Sequence, residues 1–122
     1  MQILHTCLNV SDVDRAVRWY VENLDLEESW GFSSDGTVNR YVADENGVEI
    51  QLSETNGVEP SETGDRWDHL AVGVDDVDSA FEAIDHHGVV DPPRDQSVAG
   101  ARTAFIEDPD GHVIELIQPL DD

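Results

Sequence analysis

Asp108-Pro109-Asp110-Gly111-His112-Val113-Ile114-Glu115-Leu116 follows the pattern of Asp44-Glu45-Asn46-Gly47-Val48-Glu49-Ile50-Gln51-Leu52. The two stretches stand 64 positions apart, which is also the interval from His5 to His69. Upstream the same offset pairs Val10 with Val74, Asp12 with Asp76, Val13 with Val77, Asp14 with Asp78 and Ala16 with Ala80. Just ahead of the quoted stretches it pairs Tyr41 with Phe105 and Val42 with Ile106. Matches at both ends of a module without a shift indicate a duplicated unit.

Each copy reads as βαβββ. His5 to Val10 alternates as a strand, and Ser11-Asp12 supplies a helix N-cap. Val13, Ala16, Val17, Tyr20 and Leu24 then recur at helical spacing, predicting an amphipathic helix over 12–24. Strands are predicted over 26–32, 37–43 and 48–53, with turn chemistry at Ser33–Gly36 and Asp44–Gly47. The second copy predicts a strand over 67–74, a helix over 76–87 and strands over 101–107 and 112–118. No clear element emerges for 88–100, which contains Pro92-Pro93. The length of 122 residues fits one domain, with module one at 1–53, an exposed linker at 54–66 and module two at 67–122. The expected class is α+β: two βαβββ modules forming a curved mixed sheet whose concave face holds a ligand.

Charge is the most unusual bulk property. Asp and Glu number 28 against 6 basic residues, a net charge of −22. All the basic residues are Arg. Such a field repels nucleic acid and anionic membrane surfaces. It also strains a compact fold in dilute buffer, which suggests adaptation to high salt, where screening acts within about 3 Å at 1 M. No apolar run is long enough to span a bilayer, and the N-terminus lacks the features of a secretion signal. The single cysteine, Cys7, cannot form an internal disulfide. The cytoplasm is the expected compartment.

Strand alternation selects the polar residues that face away from the helices. Leu4, Leu8 and Val10 should face the helix, leaving His5, Cys7 and Asn9 on the other side. Val48, Ile50 and Leu52 likewise leave Glu49, Gln51 and Ser53. In module two the same rule turns His69 and Glu115 inward. Two imidazoles, an amide oxygen and a carboxylate suit one borderline divalent ion such as Ni, Co, Zn, Mn or Fe. A histidine of this kind can equally serve as a hydrogen-bonded core residue. Arg40 and Arg102 could bind a substrate carboxylate or simply balance surface acid. Trp30 and Phe32 could line a pocket mouth or pack, and Cys7 reads as a small buried residue rather than a nucleophile.

His5 in Leu-His-Thr, Trp19-Tyr20 before Leu24, Asp68-His69-Leu70-Ala71, and Glu115 in Asp-Pro-Asp-Gly-His-Val-Ile-Glu-Leu together resemble glyoxalase I and the vicinal-oxygen-chelate superfamily. The resemblance covers nearly the whole chain. It implies that His5, Gln51, His69 and Glu115 ligate one divalent metal, with Glu115 also the catalytic base. It implies conversion of a hemithioacetal of a thiol and a 2-oxoaldehyde into a 2-hydroxyacyl thioester, by way of a metal-stabilised enediolate. It also implies a homodimer acting on a small molecule, with no nucleic-acid or membrane partner. Bacterial glyoxalase I carries Glu where this chain has Gln51, whereas methylmalonyl-CoA epimerases can carry Gln. The short 51-to-69 interval and the Asp-Pro-Asp-Gly turn side with glyoxalase. The superfamily also contains extradiol-type dioxygenases, which use two His and one Glu, and non-catalytic antibiotic-binding proteins.

Overall fold

A computed structural model describes residues 4–56 and 69–120. Most of the expected linker, with the start of the strand predicted at 67, lies outside the described residues. The chain forms two compact units, Met1–Glu62 and Thr63–Asp122. No described helix is long and apolar enough to cross a membrane.

The first unit contains β1 (His5–Asn9), α1 (Val13–Leu24), β2 (Glu27–Ser34), β3 (Thr37–Ala43) and β4 (Glu49–Thr55). Its sheet runs β1-β4-β3-β2, with β1 parallel to β4 and the other pairs antiparallel. The second unit contains β5 (Leu70–Gly73), α2 (Val77–Ala83), β6 (Gly88–Gln96), a 3₁₀ turn at Ser97–Ala99, β7 (Ala101–Glu107) and β8 (Val113–Pro119). Its sheet repeats the order as β5-β8-β7-β6, with β5 parallel to β8.

The repeat extends to hydrogen bonds. Asp12 and Asp76 cap the two helices, each accepting from a backbone N–H three residues on, at 3.1 Å. Glu54 and Gln118, at equivalent positions on the last strands, accept from the N–H of Val13 at 2.7 Å and of Val77 at 2.9 Å. These bonds satisfy helix-end donors that would otherwise lack partners. The β3–β4 and β7–β8 turns are built alike. Asp44 Oδ1 accepts from the N–H groups of Asn46 and Val48, and Asp108 Oδ1 from those of Asp110 and His112. Gly47 and Gly111 both adopt φ of 85°, a conformation that a Cβ would strain. The turn carboxylate and glycine set the register that decides which face Gln51 and Glu115 occupy.

Each sheet buries one face under its helix. Val13, Ala16, Val17 and Tyr20 of α1 are buried with Leu8, Val42, Ile50 and Leu52 of the strands. In the second unit Val77 and Ile84 are buried, as are Ala104, Ile106, Ile114 and Leu116. Each large aliphatic side chain removed from water in this way contributes about 1.5–3 kcal/mol. Leu4 and Val48, expected on the helix face, are exposed just ahead of β1 and β4. Leu24 is only half-buried, while Trp19 joins the core.

Several element boundaries differ from expectation, and β2 runs to Ser34, two residues into the expected turn. β4 continues to Thr55, taking in the first residues assigned to the linker. α2 ends at Ala83 rather than 87, because Ile84 turns to extended backbone with ψ of 133°. Beyond it the His87 N–H already pairs with the Glu107 carbonyl at 2.9 Å, where the next strand starts. The unassigned stretch 88–100 contains β6, an edge strand with register shifts between Val89 and Asp91 and between Asp91 and Arg94. Pro92 and Pro93 are accommodated there because an edge and a bulge both tolerate a missing N–H.

Candidate metal centre

Register places the four candidate ligands by one rule in both units. Cys7 lies opposite Gln51, so His5, two residues earlier, is the diagonal neighbour of Gln51 on the same face. Ala71 lies opposite Glu115, which makes Glu115 the diagonal neighbour of the position two residues earlier, His69. A diagonal pair of this kind is within reach of long side chains.

In the second unit the reach is completed: His69 Nε2 lies 2.8 Å from Glu115 Oε1. Both side chains are partly accessible, His69 at 30% and Glu115 at 15%. Two ligands about 2.1 Å from one ion, at right angles, stand about 3 Å apart. The 2.8 Å contact has the length of an ordinary imidazole–carboxylate hydrogen bond, a separation that two ligands of one cation would also show. Phe105, directly opposite Glu115 on β7, meets the His69 ring edge-on with centroids 5.5 Å apart.

The first unit repeats the aromatic support. Tyr41, opposite Gln51 on β3, meets the His5 ring edge-on at 5.6 Å. Tyr41 is buried, and its phenol pKa is raised by that burial first and then by neighbouring Cys7 and Glu49. Gln51 is fixed through its amide nitrogen, which donates to Asn39 Oδ1 at 2.9 Å. Asn39 Oδ1 also accepts from the Ser53 hydroxyl at 2.5 Å. With its nitrogen engaged, Gln51 presents its carbonyl oxygen as the atom that could ligate, the donor type a hard or borderline cation prefers.

Asn39 was not singled out by the sequence. The alternation that turns Tyr41 inward also turns Asn39 inward, but Thr103 stands at its repeat position, so identity does not flag it. Among the described residues no three His, Cys, Asp or Glu side chains form a cation-binding cluster. The candidate ligands come as pairs, His5 with Gln51 in one unit and His69 with Glu115 in the other.

Trp30 and Phe32 lie on the same face as Tyr41, through register pairs with Tyr41 and Asn39. Trp30 stacks on Tyr41 at 4.4 Å and on Phe32 at 5.5 Å. Both remain substantially exposed, at 51% and 43%, so they form an open aromatic wall beside His5. Cys7 is exposed rather than buried, with its Sγ 3.4 Å from Ser53 Oγ.

The two arginines face the opposite way. Arg40 pairs with Asp14 of α1 at 3.2 Å and with Glu28. Arg102 pairs with Asp78 of α2 at 2.8 Å and with Asp95 at 3.0 Å. Arg102 holds the Asp78 carboxyl below its ordinary range, chiefly through their hydrogen bonds. Arg40 and Arg102 therefore balance acidic side chains on the helix side, the charge-balancing reading of the two, and do not face the His5 or His69 side. The physical reason is strand alternation: each is next in sequence to a residue of the ligand face.

Two mixed sheets of this topology define a glyoxalase-type fold. The chain belongs to the Glyoxalase/Bleomycin resistance protein/Dioxygenase superfamily, whose family model matches residues 2–116. It is 36% identical over 125 positions to the lactoylglutathione lyase of Haemophilus influenzae, covering 97% of this chain and 93% of that one. It is 32% identical to the lactoylglutathione lyase of Salmonella typhimurium, covering 99% of this chain and 95% of the relative. Glyoxalase I from Zea mays superposes with a TM-score of 0.86 at 26% identity. That match covers 98% of this chain but 45% of the maize chain, so the present chain spans about half of it. The trypanothione-dependent glyoxalase I of Leishmania major superposes with a TM-score of 0.78 at 28% identity, covering 97% of this chain and 86% of that one.

Proposed function

We propose that this chain is a glyoxalase I-type, metal-dependent lyase. It isomerises the hemithioacetal of a 2-oxoaldehyde and a thiol to a 2-hydroxyacyl thioester. The observation that carries the reading is the contact between His69 Nε2 and Glu115 Oε1 at 2.8 Å, at positions that repeat those of His5 and Gln51. The likeness to lactoylglutathione lyases over nearly the full length supports the same reaction class.

His5, Gln51, His69 and Glu115 would hold one divalent ion from the Ni, Co, Zn, Mn or Fe group. When bound, that ion would supply Lewis-acid polarisation of the substrate oxygens. Glu115 removes the proton from the carbon bearing the thiol and returns it to the adjacent carbon. The C–H electron pair moves into the enediolate and back, while the hydroxyl proton on the thiol-bearing carbon passes to the oxygen of the adjacent carbon, so no atom is gained or lost. Gln51 cannot ionise and serves to ligate and orient. A neutral amide in place of a carboxylate leaves the site one charge more positive, which favours an anionic intermediate. Tyr41 and Phe105 hold the imidazoles, and Trp30 and Phe32 offer an apolar surface to the substrate.

The chain acts as a homodimer, in the manner that family resemblance implies, and a reducing cytoplasm suits its exposed thiol. The exposed, stacked Trp30 and Phe32 rings also favour a second reading, a non-catalytic binder of planar small molecules. The test is thioester formation, followed by ultraviolet absorbance, from the hemithioacetal of methylglyoxal and glutathione and from those of other thiols. Metal-loaded parent should turn over at least one of them. Glu115→Gln should abolish turnover more completely than Gln51→Ala. Equal losses remove the base role from Glu115, and drug binding by metal-free protein without turnover favours the binding module.

A further inference from the structure

We propose that Thr103 is a positioning residue for Glu115, its hydroxyl donating to the Glu115 carboxylate as that group turns from His69 toward the substrate proton. This rests on the reading of Glu115 as the base. Thr103 lies on β7, between the helix-facing Arg102 and Ala104, on the same face as Phe105. It is 3% exposed, and its Oγ1 finds no hydrogen-bond partner among the described residues. A buried hydroxyl without a partner is exceptional in a folded protein and costs stability.

The repeat indicates which acceptor this hydroxyl serves. Thr103 occupies the position of Asn39, opposite Ile117 as Asn39 is opposite Ser53. In the first unit the side chain at this position bonds its diagonal neighbour, Gln51, at 2.9 Å. The diagonal neighbour of Thr103 is Glu115. Of the β8 residues facing Thr103 (Glu115, Ile117 and Pro119), Glu115 alone carries a side-chain acceptor.

The chemistry of the two pairs is complementary. Gln51 presents an amide hydrogen, and Asn39 answers it with an oxygen. A carboxylate presents acceptors only, and a threonine hydroxyl answers with a hydrogen. In the arrangement described, Glu115 Oε1 is turned to His69. Thr103 is thus a donor held ready for the second position of the carboxylate. A hydrogen bond that holds the carboxylate where it meets the substrate proton acts through orientation, on the chemical step rather than on substrate binding.

The test compares Thr103→Val, Thr103→Ser and Glu115→Gln. Valine keeps the shape and removes the donor. Its kcat with the methylglyoxal–glutathione hemithioacetal should fall about tenfold, with KM within about twofold of the parent. The thermal midpoint of the metal-free Val variant should equal or exceed that of the parent, because the unpartnered hydroxyl is gone. Serine should restore kcat to within about twofold. Parental kcat in the Val variant, with Glu115→Gln inactive, overturns the role of Thr103 and leaves that of Glu115 standing. A lower midpoint in the Val variant, with no recovery of kcat by serine, makes Thr103 a packing residue and also overturns it. Parental kcat in Glu115→Gln removes the base and this inference with it.

Discussion

Asn39→Ala should cost both stability and metal affinity, in amounts that follow from two hydrogen bonds. The Asn39 side chain is buried, at 6% exposure. Its Oδ1 accepts from Gln51 Nε2 at 2.9 Å and from Ser53 Oγ at 2.5 Å. Each bond contributes about 1 kcal/mol net, and stranding a buried donor adds to the loss, so the total is about 2–3 kcal/mol. For a chain of this size that lowers the melting midpoint by about 10 °C. Gln51 then loses the partner that fixes its oxygen, and removing a group that orients a ligand weakens metal binding about 10–100-fold. Ser53→Ala is the comparator. It removes one donor to Asn39 and a long contact from Gln51 Nε2 at 3.5 Å, leaves the 2.9 Å Gln51–Asn39 bond in place, and should cost about 1 kcal/mol with little change in affinity. Thermal melts of the metal-free proteins and chelator-competition titrations read the two quantities separately. Unchanged metal affinity in Asn39→Ala, with a clear loss in Gln51→Ala, would refute the orienting role of Asn39.

With 28 acidic residues against 6 basic ones, the melting midpoint should rise between low and molar KCl, since screening relieves self-repulsion. A flat or falling midpoint removes the adaptation to salt. The Asp78 carboxyl is held below its ordinary range by Arg102. Its contribution is therefore complete above the usual carboxylate pKa and is lost as pH falls through the lower folded value. Protonation also relieves the acidic surface, so the comparison is between parent and Asp78→Asn. Their difference in midpoint should be constant near neutral pH and shrink toward zero in acid. A difference that persists unchanged at the lowest pH contradicts the pairing.

The fold was legible because the duplication repeats its punctuation as well as its apolar positions. Asp44 and Asp108 build the same turn, and Asp12 and Asp76 the same cap, so the strands and helix starts followed from the offset. The end of α2 was not legible, because Asp85-His86-His87 carries no stop signal and only pairing with Glu107 draws the chain into β6. Pro92-Pro93 concealed a strand that survives as a bulged edge. In the candidate site, alternation turned His5 and Gln51 to one face of their sheet and His69 and Glu115 to one face of theirs, and the His69–Glu115 contact follows from it. The same rule, applied to Arg40 and Arg102, would have turned both toward the helices. Asn39 and Thr103 escaped notice because their roles depend on a neighbour across the strand, which residue identity along the chain does not reveal.

The most direct measurement is elemental analysis of protein purified without added metal, made on the parent and on His5→Ala, Gln51→Ala, His69→Ala and Glu115→Ala. One divalent ion per chain in the parent, reduced in every variant, is the expected result. A parent without bound metal, or one whose metal content survives loss of either histidine, would contradict a shared centre built from the two repeated pairs.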